Sequence, residues 1–312
     1  MTSHLRRAWE AWVALMDRRE PATALALARI GLSMVLLLDY LRHAQLGLID
    51  ALYAPPPDGY ATALHGWPTW FGLTGPAVWL IATCALALIA VGAATRGACI
   101  VFVLVSAKLA QIAPTSECGL DQLARIVFVI LALSKSHARW SVDAWIARRR
   151  GRPMPAEVPA WPRYLLLLQI VWVYASGGMN KSSASWGPLG GFSALADALV
   201  DPQAARFGPS WVSSVYPLTQ LATLFTMIFE LGAPLYLIAL YYADTADRPG
   251  RVRRLVNRLR LRWIWLALGI SFELGIAATL ELGVFPFGMI ALFPLLLLPR
   301  DLQRVQRGTL ST

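Results

Sequence analysis

Charge is scarce in this chain, and cysteine more so. Only 15% of the residues are Asp, Glu, Lys or Arg, against about a quarter in ordinary soluble domains, which is too few to clothe a water-exposed surface. Of the three cysteines, Cys84 and Cys99 sit inside apolar runs and Cys118 stands alone in a short turn. That spacing excludes a disulfide framework and a thiolate metal site, so no metal is expected. Long polar linkers, internal repeats and low-complexity tracts are missing as well, and residues 1–312 read as one domain. No cleavable signal peptide is expected ahead of the first apolar run. The stretch His4-Leu5-Arg6-Arg7-Ala8-Trp9-Glu10-Ala11-Trp12 instead alternates charge with tryptophan, and residues 1–20 read as an amphipathic helix lying in a membrane interface.

Apolar sequence is what the chain has in abundance. It is 57% hydrophobic with a mean hydropathy of +0.53, the signature of an integral membrane protein. A bilayer crossing takes ~20 apolar residues, with tolerance down to ~17, and eight segments approach that length: 22–42, 76–95, 97–113, 119–134, 164–180, 215–242, 263–282 and 284–299. The predicted fold is therefore an all-α, polytopic bundle of about eight transmembrane helices, with seven plus a re-entrant piece as the alternative.

A formal charge of +10 suggests nucleic acid in a soluble protein. Here the basic residues crowd into alternate loops, at Arg6 to Arg19, Arg96, Lys135 to Arg163, Arg248 to Arg262 and Arg300 to Arg307, and only Arg42, Lys181 and Arg206 are left on the other side. This is the positive-inside bias. It argues against nucleic acid, for a lipid bilayer as the main partner, and for both termini in the cytoplasm, which places Lys181 at the outer face. The segments Trp140 to Arg150, with a Ser N-cap, and Arg248 to Arg262 read as basic interfacial helices that set the topology. The outer loops carry Pro55-Pro56-Pro57, Trp67-Pro68-Thr69-Trp70-Phe71, Trp186 and Trp211, aromatics expected to anchor at the interface. Residues 192–200, which include Asp197 and are followed by Asp201, form a candidate lid over Lys181.

Ionisable residues inside spans cost a few kcal/mol each on insertion scales and are functional candidates by default. They are Arg29, Asp39, Lys108, Asp121, Arg125, Glu230, Glu273 and Glu281. Asp121 and Arg125 lie one helical turn apart and can pair, and Glu273 and Glu281 lie two turns apart on one face. The bland reading of Arg29, Asp121 and Arg125 is buried ion pairing that fixes helix register. Glu230 and Glu273 are each followed by Leu-Gly, where a glycine permits close helix contact, so each carboxylate can serve a neighbouring helix or a ligand equally well.

The most informative stretch is Tyr174-Ala175-Ser176-Gly177-Gly178-Met179-Asn180-Lys181, with Trp186 five residues on. A lysine arrives there at the end of an otherwise uncharged apolar helix, after small residues that let a backbone or a flat ligand approach. An ammonium in that position either snorkels to the headgroups or faces a cavity. An amine in a dry pocket gives up its proton more readily and becomes a usable base.

These residues resemble the Lys-then-Trp segment of the HTTM (horizontally transferred transmembrane) domain, the membrane domain of vitamin K-dependent gamma-carboxylases. Trp140-Ser141-Val142-Asp143, Val158-Pro159-Ala160-Trp161, Ala28-Arg29-Ile30-Gly31, Leu120-Asp121-Gln122-Leu123-Ala124-Arg125 and Phe285-Pro286-Phe287-Gly288 fit the same pattern. The resemblance implies a carboxylase-like membrane enzyme acting on a reduced quinone of the vitamin K or menaquinone type, in a bacterial cytoplasmic (inner) membrane. It implies Lys181 as the general base, with Glu230 and Glu273 as further catalytic groups, and Tyr174, Gly177, Gly178, Trp186, Asp121 and Arg125 toward the cofactor. The chain departs from the carboxylases in stopping soon after its last span, in having Leu120-Asp121 in place of one histidine, and in having Glu273 in place of another, which tells against full carboxylation. Single-domain bacterial members also resemble a membrane factor that matures a secreted sporulation-delaying peptide with a small partner protein. The alternative function is therefore a non-redox peptide maturation factor in which Lys181 is structural.

Overall fold

A computed structural model describes residues 3–55, 58–61 and 71–303. The prolines at 56 and 57, the aromatic loop up to Trp70, and Arg304 and Arg307 lie outside the described residues. The described chain is all-α apart from one short ribbon. Its helices are α1 (Ser3–Asp17), α2 (Thr23–Gln45), α3 (Leu48–Tyr53), α4 (Gly75–Val91), α5 (Thr95–Ile112), α6 (Gly119–Leu133), α7 (Val142–Arg149), α8 (Trp161–Asn180), α9 (Ala194–Val200), α10 (Tyr216–Leu231), α11 (Ala233–Asp244), α12 (Arg251–Arg258), α13 (Leu261–Thr279) and α14 (Phe285–Leu292). The ribbon pairs β1 (Arg19–Pro21) antiparallel with β2 (Glu157–Pro159).

Each of the eight apolar segments contains at least one helix. Among the described residues, four helical stretches, Thr23–Gln45, Thr95–Ile112, Pro209–Leu231 and Leu261–Thr279, are long and apolar enough to cross a membrane, and Gly75–Val91 and Phe285–Leu296 are apolar but shorter. The segment 215–242, expected as one long span, is two helices. The break falls at Gly232, where α10 ends and Pro234 follows in the first turn of α11. Proline lacks the N–H that would continue the ladder back to residue 230, and its ring clashes with the preceding turn.

The chain divides into two compact units, Met1–Leu166 with Ala291–Thr312, and Leu167–Ile290. The first is built on α2, α4, α5 and α6, whose facing sides bury Leu32, Leu36, Leu86, Ile89, Phe102 and Phe128. Phe102 and Phe128 meet edge to face with centroids 5.1 Å apart. Gly31 lets α2 approach the C-terminal stretch so closely that a Cβ there would sit 3.0 Å from the Ala291 side chain. Beside the ribbon, Arg163 and Glu20 form a fully buried ion pair at 2.7 Å.

Arg29 was expected in an ion pair and is found binding carbonyls. Its Nη1 donates to Ile89 O at 2.7 Å and its Nη2 to Trp140 O at 2.6 Å. The charge thus adds a donor to Ile89 O, which also accepts from Gly92 N at 3.1 Å, at the end of α4, where a cation complements the helix dipole. Arg125 pairs with Glu117 rather than Asp121, because the Asp121 carboxylate is spent on the Cys118 N–H at 2.8 Å, closing the first turn of α6. The loop residue Glu117 was invisible as a partner from helix periodicity. With Asp39, Tyr40, His43 and Tyr53 these groups surround a cavity of about 30 Å³, room for a water molecule.

The second unit packs α9 on α10, α12 on α11, and α10 and α11 on α13. The expected helix at 192–200 is present as α9, and Leu195 N donates to Thr223 Oγ1 of α10 at 3.1 Å. Ala196, Leu199 and Val212 make a small core with Leu195, Trp211 and Leu280.

Candidate functional site

In the second unit α8 presents its last turns to α10 and α13. Lys181 follows α8 directly, and its Nζ lies 2.6 Å from Glu230 Oε2 on α10. The lysine side chain retains 21% exposure and the carboxylate 7%, so the pair is largely withdrawn from water. Gly177 O accepts a second hydrogen bond from Nζ at 3.3 Å, and the Trp186 ring lies 5.0 Å from Nζ, within cation–π range. Three groups from three stretches of chain therefore fix one ammonium.

The glycines before Lys181 serve helix packing. A Cβ on Gly178 would stand 3.0 Å from Glu230 Cβ and from Leu231 Cδ2, so the space that the sequence left open for a ligand is filled by α10. Gly177 is less constrained, with Glu230 Oε1 3.5 Å from the same imagined atom. Gly275, beside Glu273, has nothing within 4 Å and makes no close helix contact.

About two turns before Lys181, Tyr174 points at α13 and its hydroxyl hydrogen-bonds Glu273 Oε1. Glu273 is completely buried, and its Oε2 has no hydrogen-bond partner among the described residues. A buried carboxylate oxygen without a partner is costly and calls for an explanation such as a proton, a water or a ligand group. Around the Tyr174 ring stand Phe229, Trp265 and Phe272, at centroid distances of 5.0, 5.8 and 6.2 Å.

Phe229 and Trp265 are shared with a cavity of about 560 Å³ formed by α10, α11, α12 and α13, whose wall also includes Phe225, Tyr236 and Leu268. That size is typical of small-molecule sites. It is lined almost wholly by apolar side chains, and Lys181, Tyr174 and Trp186 are not among them. This open volume lies behind the aromatic residues that pack on Tyr174. Sequence reasoning missed Phe229 and Trp265, although the Phe-Glu-Leu-Gly context of Glu230 contained the first.

The other expected site residues are elsewhere. Asp121 and Arg125 belong to the first unit and are committed to the contacts described above. Glu281 falls beyond the end of α13 and pairs with Arg206 at 3.3 Å, both partly exposed. It therefore does not share a helical face with Glu273.

A bundle of apolar helices that buries a lysine–glutamate pair and a tyrosine–glutamate pair defines an integral membrane protein. The chain belongs to the HTTM domain family, a transmembrane family whose pattern it matches over residues 17–245. Lys181, Tyr174 and Glu230 lie inside the matched region, and Trp265 and Glu273 lie beyond it. No curated protein and no solved structure matches the chain.

Proposed function

We propose that this protein is a gamma-carboxylase-like membrane enzyme that takes a quinol or similar lipid-soluble molecule and removes a proton from it with Lys181 as general base. The observation that carries this reading is the Lys181 Nζ to Glu230 Oε2 contact of 2.6 Å. Transfer of a proton from Nζ to the carboxylate leaves a neutral amine that Gly177 O keeps in place by accepting its N–H, and the Trp186 ring favours the ammonium that forms when the amine takes the next proton.

A reduced quinone of the vitamin K or menaquinone type is a flat ring with hydroxyl groups and a prenyl tail, and the residues fit it on two counts. The apolar cavity next to Phe229 and Trp265 has the volume for a ring, and beyond its lining the unpartnered Glu273 Oε2 is an acceptor that a hydroxyl would reach, as it would Lys181, only if the ring passes the Phe229 and Trp265 side chains. Phe229 and Trp265 would flank the ring, and Tyr174 would keep Glu273 oriented. When bound, the quinol supplies an acidic hydroxyl and reducing electrons. The fit extends to topology: eight spans with both termini cytoplasmic, in a bacterial inner membrane, would set Lys181 at the outer face, which the distribution of arginines supports.

The second reading is a non-redox factor for maturing a secreted peptide, favoured by the completeness of the Lys181–Glu230 pair, which leaves neither charge in need of a ligand. The two readings separate on purified protein assayed for quinol binding and quinol-dependent oxygen consumption. Lys181→Ala and Lys181→Arg should both abolish turnover while the protein stays folded, since a guanidinium cannot serve as a base at accessible pH. Turnover retained with arginine would leave only the positive charge as important, and a wild-type protein that binds no quinol would remove the first reading.

A further inference from the structure

A second cavity of about 560 Å³ lies in the first unit, where α5 begins and α7 ends. Arg96, Arg150 and Arg152 line it together with His137, Asp143 and Met154. None of the three guanidinium groups forms an ion pair among the described residues, and the one protein contact found for them is a long 3.5 Å hydrogen bond from Arg96 to Ser134 O. The single acid of the wall is already spent. Asp143 Oδ1 accepts from Ala94 N at 2.9 Å, and its Oδ2 accepts from Thr95 N at 2.9 Å and from Thr95 Oγ1 at 2.8 Å.

The wall is also fixed in place. Ser141 caps α7 by accepting from Ala144 N at 2.9 Å, and Asp143 N donates to Gly92 O at 2.9 Å, tying α7 to the turn before α5. At the other end Gly151 N donates to Arg148 O at 3.1 Å and Arg152 N to Ala147 O at 2.9 Å. That is the Schellman arrangement, and it needs the left-handed backbone that Gly151 supplies with φ +69°. Arg150 and Arg152 are thereby held on either side of a defined turn. Three like charges gathered around a fixed concavity repel one another, and a bound anion relieves that repulsion. Guanidinium groups match the oxygens of a phosphate in a bidentate fashion.

We propose that this pocket binds a phosphate group, either the headgroup of an acidic phospholipid or a soluble phosphate ester. The proposal is independent of the chemistry assigned to Lys181, since it concerns other residues and another cavity.

The test uses the full chain in nanodiscs of phosphatidylcholine. Added phosphatidylglycerol is followed by native mass spectrometry, and glycerol 3-phosphate and inorganic phosphate are followed by calorimetry. Saturable binding is expected, and the triple variant Arg96→Gln, Arg150→Gln, Arg152→Gln should weaken it at least about tenfold, since it removes the charge-assisted hydrogen bonds to the anion. A control triple, Lys135→Gln, Arg148→Gln, Arg149→Gln, removes the same charge next to the cavity and should change affinity less than about threefold. Ala147→Glu puts a carboxylate into the pocket without removing an arginine and should also abolish binding, which covers the case in which the triple variant is unstable. Displacement of the lipid by glycerol 3-phosphate would assign the site to a soluble ester, and binding of the lipid alone would assign it to a headgroup. Equal losses in both triples, binding that never saturates, or binding that survives Ala147→Glu would each overturn the proposal.

Discussion

Arg29 is joined to Ile89, 60 positions away, by a hydrogen bond of 2.7 Å from its Nη1 to a buried backbone carbonyl. Together with the bond to Trp140 O, it makes one arginine the junction of α2, the end of α4 and the turn before α7. Replacing it with the similarly sized but neutral methionine takes the Arg29 donor from Trp140 O and leaves Ile89 O with Gly92 N as its donor. The expected loss is roughly 3 kcal/mol, read as a lower thermal midpoint in detergent. Arg29→Lys should recover only part, because one ammonium cannot span both carbonyls. An Arg29→Met protein as stable as wild type would mean that water replaces the guanidinium.

Gly92 stands against that same arginine. A Cβ there would lie 2.3 Å from Arg29 Nη1, and the residue has φ +70°. Gly47 has a similar φ of +68° with nothing within 4 Å. Gly47→Ala should therefore cost only the left-handed penalty of about 1–2 kcal/mol, and Gly92→Ala distinctly more. Equal shifts in thermal midpoint would show that Arg29 moves aside freely.

The Lys181–Glu230 pair suits a double-mutant cycle. Lys181→Met strands a carboxylate and Glu230→Leu strands an ammonium, so the two single variants together should cost more than the double variant, by on the order of 1–3 kcal/mol. Additive losses in chemical denaturation would show that the two charges do not depend on each other.

Glycine substitutions test which helix contacts are close. Gly178→Ala should disturb the packing of α8 on α10 and weaken both stability and turnover, since its Cβ would meet two α10 side chains at 3.0 Å. Gly275→Ala meets nothing and sits inside α13, so it should stabilise by about 0.5–1 kcal/mol from helix propensity.

Acid should destabilise the first unit in two stages. Burial, and then Arg96, press the proton off His137, with Arg29 and Lys135 adding to the effect and Asp143 opposing it. Below the unfolded histidine value of about 6.5, the unfolded chain therefore binds more proton than the folded one, and stability falls. Asp143 behaves as a capping carboxylate. Burial raises its affinity for a proton, but the hydrogen bonds from Thr95 and Ala94 outweigh burial and hold it below the usual carboxylate range. The stability it contributes is present above the unfolded value of about 3.9 and is lost as the pH falls through the folded value. Thermal midpoints measured from pH 7.5 to 3 should lose their slope between pH 6.5 and 5 in His137→Gln, and lose the acid arm in Asp143→Asn. Unchanged slopes would assign the acid sensitivity to other groups.

Membrane character, the all-helical class and the approximate places of the apolar segments were legible in the sequence, because each depends on the solvent preference of a run of some twenty residues and on no partner elsewhere. The lysine of interest was legible for the same reason: a lone charge at the end of an apolar helix is conspicuous whatever surrounds it. Its family context was carried by local residues from Tyr174 to Trp186. The break at Gly232 was also written locally, in Gly-Ala-Pro, and was overlooked because the flanking residues are uniformly apolar.

Which charges meet was decided by the tertiary structure alone. Glu230, not Glu281, faces Lys181, Glu117 takes Arg125 from Asp121, and Arg29 answers carbonyls in place of an acid. Each choice brings together groups far apart in the chain or in an irregular turn, where helical spacing carries no information. A buried charge takes whichever partner the packing brings to about 3 Å. The apolar cavity behind Phe229 and Trp265 has the same origin: its wall draws on four helices, and no periodicity within one of them foretells a space left between all four.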